Sequence, residues 1–119
     1  MTLIHGLIAS LWIVRESKKV RVWVQDKQQW VVLSRKSTTN IYEVGTGLII
    51  EIVDRNKPQK VLLRHAVPTD ARLTKDSKKK SCQYLIGDDL VRNEKALVAI
   101  VQFKSHADFD IFSNLLENS

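Results

Sequence analysis

Val20, Val22 and Val24 alternate with Arg21, Trp23 and Gln25. Strict alternation predicts a half-buried strand with the valines on the core face and Trp23 on the water face. Asp26-Lys27-Gln28-Gln29 reads as a turn, and Trp30 opens a second strand through Ser34. Trp23 and Trp30 therefore face each other across a predicted hairpin and can stand side by side. A large aromatic among polar neighbours is costly in water, so this pair is a candidate contact surface.

The same pattern predicts the elements around the hairpin. Residues 2–14 are apolar with weak periodicity, giving a strand over Ile8–Val14 with a short helix over residues 2–10 as the alternative. Arg15–Lys19 reads as a polar turn and Arg35–Thr39 as a polar loop. Further strands are predicted at Asn40–Val44, Leu48–Val53, Gln59–Leu63, Cys82–Ile86 and Ala96–Phe103. Gly45-Thr46-Gly47 and Asp54–Pro58 punctuate them, and Leu73–Ser81 and Gly87–Lys95 read as loops. After Lys104 the period changes. Ser105 caps a predicted helix over 105–117, with Asp108 as its capping-box partner. Phe109, Phe112, Leu115 and Leu116 fall on one helix face. The fold class is mainly β (α+β): a barrel or sandwich of six or seven antiparallel strands closed by one C-terminal helix.

At 119 residues the chain fits one domain with a core of its own. Cys82 is the only cysteine, which excludes an internal disulfide and points to a reducing compartment, the cytoplasm or the nucleus. The formal net charge of +6 admits an anionic partner. The excess is grouped at Arg15, Lys18, Lys19 and Arg21, and again at Lys75, Lys78, Lys79 and Lys80. No aromatics are interleaved among these lysines, which weighs against nucleic acid. His5, His65 and His106 are dispersed, and no metal spacing, catalytic triad or glycine-rich phosphate loop emerges. No catalytic residue, metal or cofactor is expected.

Three stretches resemble the EVH1 domain, a branch of the pleckstrin-homology-like superfold. They are VRVWVQDKQQWV (Val20–Val31), VLLRHAVPTDARL (Val61–Leu73) and IVQFKSHADFDIFSNLLE (Ile100–Glu117). In order, they are similar to the family's strand–turn–tryptophan motif, its middle strand with a small-apolar-proline step at Ala66-Val67-Pro68, and its last strand and helix. Together they cover roughly residues 15–117. The resemblance implies a non-catalytic adaptor that binds a proline-containing peptide in polyproline II form on an aromatic cluster. Trp23 and Trp30 match two cluster positions, with Trp23 where the family usually has tyrosine. Tyr84 is the aromatic available for the third. Gln83 and Arg21 flank the groove, and Arg21 suits an acidic peptide flank. Phosphatase-4 regulatory subunits, mRNA-decapping activators and Ran-binding domains share the superfold, so a scaffold subunit of a larger complex is a second expectation. A basic phosphoinositide- or nucleic-acid-binding domain using Lys18, Lys19, Lys78, Lys79 and Lys80 is a third. It needs a first hairpin formed by Leu7–Val14 and Val20–Val24.

Overall fold

The computed structural model describes residues 9–45, 47–68, 70–86 and 96–118. Its organising element is β1 (Ala9–Val24), a single strand of 16 residues. The turn expected at Arg15–Lys19 is absent: the chain continues through it as strand. The polar residues there are accommodated one by one. Ser17 is buried, its hydroxyl 2.6 Å from that of Thr39. Arg15 pairs with Asp108 at 3.5 Å, and Lys18 projects into water.

Lys18 is the extra residue of a β-bulge. Against β8 (Ala96–Phe103), Ser17 pairs with Phe103 while Lys19 already pairs with Gln102. One inserted residue reverses the alternation. Ser17 faces inward before the bulge, and Val20, Val22 and Val24 face inward after it. Arg55 secures the bend by donating to the carbonyls of Ser17 (2.8 Å) and Ser37 (3.2 Å).

The bend lets β1 serve two halves of one antiparallel sheet. Its first half pairs with β3 (Ser37–Val44), followed by β4 (Gly47–Asp54) and β5 (Val61–Ala66). Gly45, at φ 61, opens the turn between β3 and β4, where a side chain would be strained. The second half of β1 pairs with β2 (Gln29–Ser34) on one side. On the other it pairs with β8, followed by β7 (Ser81–Leu85) and β6 (Thr74–Asp76). The path runs β5-β4-β3-β1-β8-β7-β6, so the sheet is unclosed among the described residues. β3 starts inside the loop expected at Arg35–Thr39, and β6 lies inside the loop expected at Leu73–Ser81. Residues 2–8 of the alternative helix and the loop expected at Gly87–Lys95 fall outside the described residues, and residues 9 and 10 are strand.

The inner faces of the two halves share one core of Val20, Val22, Val24, Ile41, Ile50, Ile52, Leu63, Ala99, Val101 and Phe103. Helix α1 (His106–Glu117) covers it with Phe109, Phe112 and Leu116, with Leu115 packed at the margin. Ser105 caps the helix by accepting from the amide of Asp108 at 3.1 Å. Asp108 does not complete the expected reciprocal box. Its carboxylate accepts instead from the amide of Glu16 at 3.3 Å and pairs with Arg15, tying the helix start to β1. The architecture is mainly β with one C-terminal helix, as the patterning predicts.

Candidate functional site

The register across β1, β2, β7 and β8 places specific side chains on the outer face of the second half. Trp30, Trp23, Val98 and Leu85 form one row across four strands. Val32, Arg21, Ile100 and Gln83 form the next. Their inward neighbours (Val22, Val24, Ala99, Val101, Cys82 and Tyr84) are buried in the core. Strand alternation alone therefore leaves an apolar outer row flanked by arginine and glutamine.

Trp23 and Trp30 are direct cross-strand partners. Their rings meet edge to face, with centroids 5.6 Å apart and planes at 69°. That geometry suits the negative face and positive edge of aromatic rings. The Arg21 guanidinium lies 5.8 Å from the centre of the Trp30 ring, where its charge meets the π face. The indole N–H of Trp23 donates to the Gln25 side chain at 3.2 Å. The hairpin turn beneath is closed by the Gln28 amide on the Gln25 carbonyl (3.2 Å), with Gln28 at φ 51. Trp30 is thus the exposed member of the pair, and Trp23 is half-buried. Trp30 and Val32 are each 41% exposed, a high value for large apolar side chains in a folded domain.

The outer face of the first half is built differently. Asn40, Glu51 and Arg64 are in register across β3, β4 and β5. Arg64 binds the Glu51 carboxylate through two nitrogens at 2.9 and 2.6 Å, and Asn40 donates to it at 3.3 Å. These groups satisfy one another, whereas the tryptophan row faces solvent.

Tyr84 does not belong to the aromatic face. It is 1% exposed and packs in the core against Phe112, ring centroids 5.6 Å apart. Its hydroxyl lies 3.2 Å from Nε2 of His65. Burial pushes the phenol pKa far above its ordinary value. Gln83, its neighbour on β7, points outward into the Arg21 row. Adjacent strand residues take opposite faces, so the two cannot share a groove. The structure brings Trp23, Trp30, Arg21 and Gln83 onto one face and removes Tyr84. Sequence reasoning missed Val32, Leu85, Val98 and Ile100. The cue available was that Val98 and Ile100 alternate with Ala99 and Val101, so a central strand is apolar on both faces.

The lysines lie at the other end of the same sheet. Lys19 is opposite Gln102, and Gln102 is opposite Ser81. Gln102 also donates to the Lys79 carbonyl at 2.9 Å, and Lys80 Nζ donates to the Lys104 carbonyl at 3.3 Å. The two lysine groups, distant in sequence, thus converge on one edge of the domain. The hairpin required for the phosphoinositide reading is absent, because residues 9–24 are one strand.

Cys82 faces the core on β7, where burial pushes its thiol up to about 12 and suppresses the reactive thiolate.

No protein-family model matches the chain, and no curated protein matches it. Among solved structures, it is similar to the Ran-binding domain of the nuclear complex component Nup2 from Ashbya gossypii. The TM-score is 0.61 at 10% identity, over 94% of this chain and 93% of that one. The chain has a pleckstrin-homology-like fold. At that identity the likeness is one of fold alone, and function rests on the faces described above.

Proposed function

We propose that this chain is a non-catalytic protein-interaction module of the EVH1 kind, taking a proline-containing segment across Trp23 and Trp30. The observation behind it is the edge-to-face pair of an exposed Trp30 and a half-buried Trp23, with Arg21 over the Trp30 ring. A polyproline II segment arrives already extended, so it loses little entropy on binding, and its prolyl rings stack on flat aromatics. Val98 and Leu85 extend the apolar floor, and Arg21 and Gln83 supply donors beside it. Titration of the protein with a proline-rich peptide, followed by tryptophan fluorescence, tests the reading. Binding is expected to weaken by on the order of 2 kcal/mol or more in Trp23→Ala or Trp30→Ala. Fluorescence that stays unchanged with every proline-rich sequence, in a protein whose Trp23 and Trp30 are open to an added quencher, rejects it.

The convergence of Lys18, Lys19, Lys78, Lys79 and Lys80 favours a second reading, an anionic-ligand surface at the opposite end of the same face. Binding there falls steeply as salt rises; binding indifferent to salt excludes it.

A further inference from the structure

The outer edge of β2 is unlike the edges of the sheet's two terminal strands. Among the described residues, β2 is bonded along one side only, to β1. Its sequence, Gln29–Ser34, contains no charged residue and no proline. Gln29–Val32 keep regular register with Val24–Arg21, and the irregularity in the pairing comes only beyond Val32. Trp30 and Val32, two large apolar side chains that remain well exposed, stand on this strand. The sheet's two terminal strands are protected. β6 is three residues long and carries Lys75 and Asp76, with Lys75 bonded to Glu117 of the helix at 2.9 Å. β5 carries Arg64, held by Glu51, and lies between Pro58 and Pro68. Folded proteins blunt free edges with charge, proline or brevity, because a bare edge recruits another strand. From Gln29 to Val32, β2 has none of these protections.

We propose that the free edge of β2 is a docking strand for an extended segment of a partner protein, which adds antiparallel to Gln29–Ser34. The segment places apolar residues at alternate positions beside Trp30 and Val32, and acidic residues at its N-terminal end. The antiparallel sense continues every pairing in this sheet. Charge complementarity sets the acidic end. Arg35 and Lys36 follow β2 directly and are exposed, and Arg21 overlies Trp30. An antiparallel strand begins beside those residues. The same charge, with a net +6 on the chain, disfavours a second copy as the occupant. The proposal is independent of the proline reading. A polyproline segment lies over the face, whereas an added strand bonds to the backbone of the edge, so either can fail alone.

The test uses an octapeptide of two aspartates followed by alternating valine and threonine, with amide hydrogen exchange as readout. Alternate amides of Gln29–Ser34 are expected to exchange freely in the dilute protein and to become protected when the peptide binds. N-methylation of alternate peptide amides is expected to abolish that protection. Val32→Lys, and separately the surface pair Arg35→Glu with Lys36→Glu, are each expected to weaken binding about tenfold. The pair keeps the test open if the first variant unfolds. Four results overturn the proposal: β2 amides all protected in the free monomer, a dimer that protects them as concentration rises, peptide binding that leaves their exchange unchanged, or no binding.

Discussion

His65 and Tyr84 meet across the core, with Nε2 of the histidine 3.2 Å from the tyrosine hydroxyl. His65 Nδ1 lies 2.9 Å from the Ala66 carbonyl, which can only accept. Nδ1 therefore donates to that carbonyl, and Nε2 shares a hydrogen bond with the Tyr84 hydroxyl. This bond joins β5 to β7, strands from opposite halves of the sheet. Tyr84→Phe removes this buried hydrogen bond and is expected to cost about 1 kcal/mol of unfolding free energy. Chemical denaturation measures the loss, and peptide affinity at 25 °C, where the variant stays folded, is expected to remain at the wild-type value.

Arg55 serves the bend in β1. Its guanidinium holds the carbonyls of Ser17 and Ser37, both buried residues. Arg55→Leu strips those acceptors of their donor and is expected to destabilise the fold by about 1–3 kcal/mol. Urea unfolding gives the size of the loss. Faster amide exchange around Ser17, with exchange in the β7–β8 pair unchanged below the global unfolding limit, locates it at the bend.

Removing the helix cap gives a smaller, local effect. Ser105→Ala deletes the acceptor for the Asp108 amide and is expected to cost about 1 kcal/mol, read from the thermal midpoint. Ser105→Asp, which retains an acceptor, is expected to recover most of it.

Alkaline stability follows from Cys82 and Tyr84. In the unfolded chain the thiol loses its proton from about pH 9, whereas in the folded core it holds it to about 12. Above pH 9 the unfolded state binds fewer protons than the folded state, so unfolding free energy falls as pH rises through this window. Tyr84, shifted in the same direction, adds to the decline at the upper end. The urea midpoint is expected to fall between pH 8 and 11, and to fall less steeply in Cys82→Ala. Equal slopes in the two proteins disprove a contribution from the thiol.

Much of this arrangement was legible in the sequence. The alternation from Val20 to Val24 gave the correct faces, and the spacing of Trp23 and Trp30 placed them opposite each other. The apolar run Ala96–Phe103 and the Phe109/Phe112/Leu116 stripe marked the last strand and its covering helix. The continuity of β1 was hidden because Arg15–Lys19 has the composition of a turn. Its polar groups are satisfied by Thr39, Arg55 and Asp108, partners far along the chain that no local pattern reveals. β6 was hidden because an exposed three-residue strand buries nothing and leaves no hydrophobic period. The place of Tyr84 was readable: it alternates with Gln83 and stands in step with Cys82 and Ile86, so it had to face inward. The lysine convergence was not readable, since it depends on β1, β8 and β7 lying side by side.

The single long strand also governs the order in which this protein can assemble. β1 meets β2 and β3 through short connections, but its other edge waits for β8, near the opposite end of the sequence. Until β8 arrives, Val20, Val22 and Val24 lack much of their covering and half of the β1 backbone lacks its ladder. Closure over so long a separation carries a high contact order, which places folding toward the slow, millisecond-to-second end for domains of this size. A ribosome-bound chain halted before Ala96 would hold a partly paired β1 with its apolar inner face still in water.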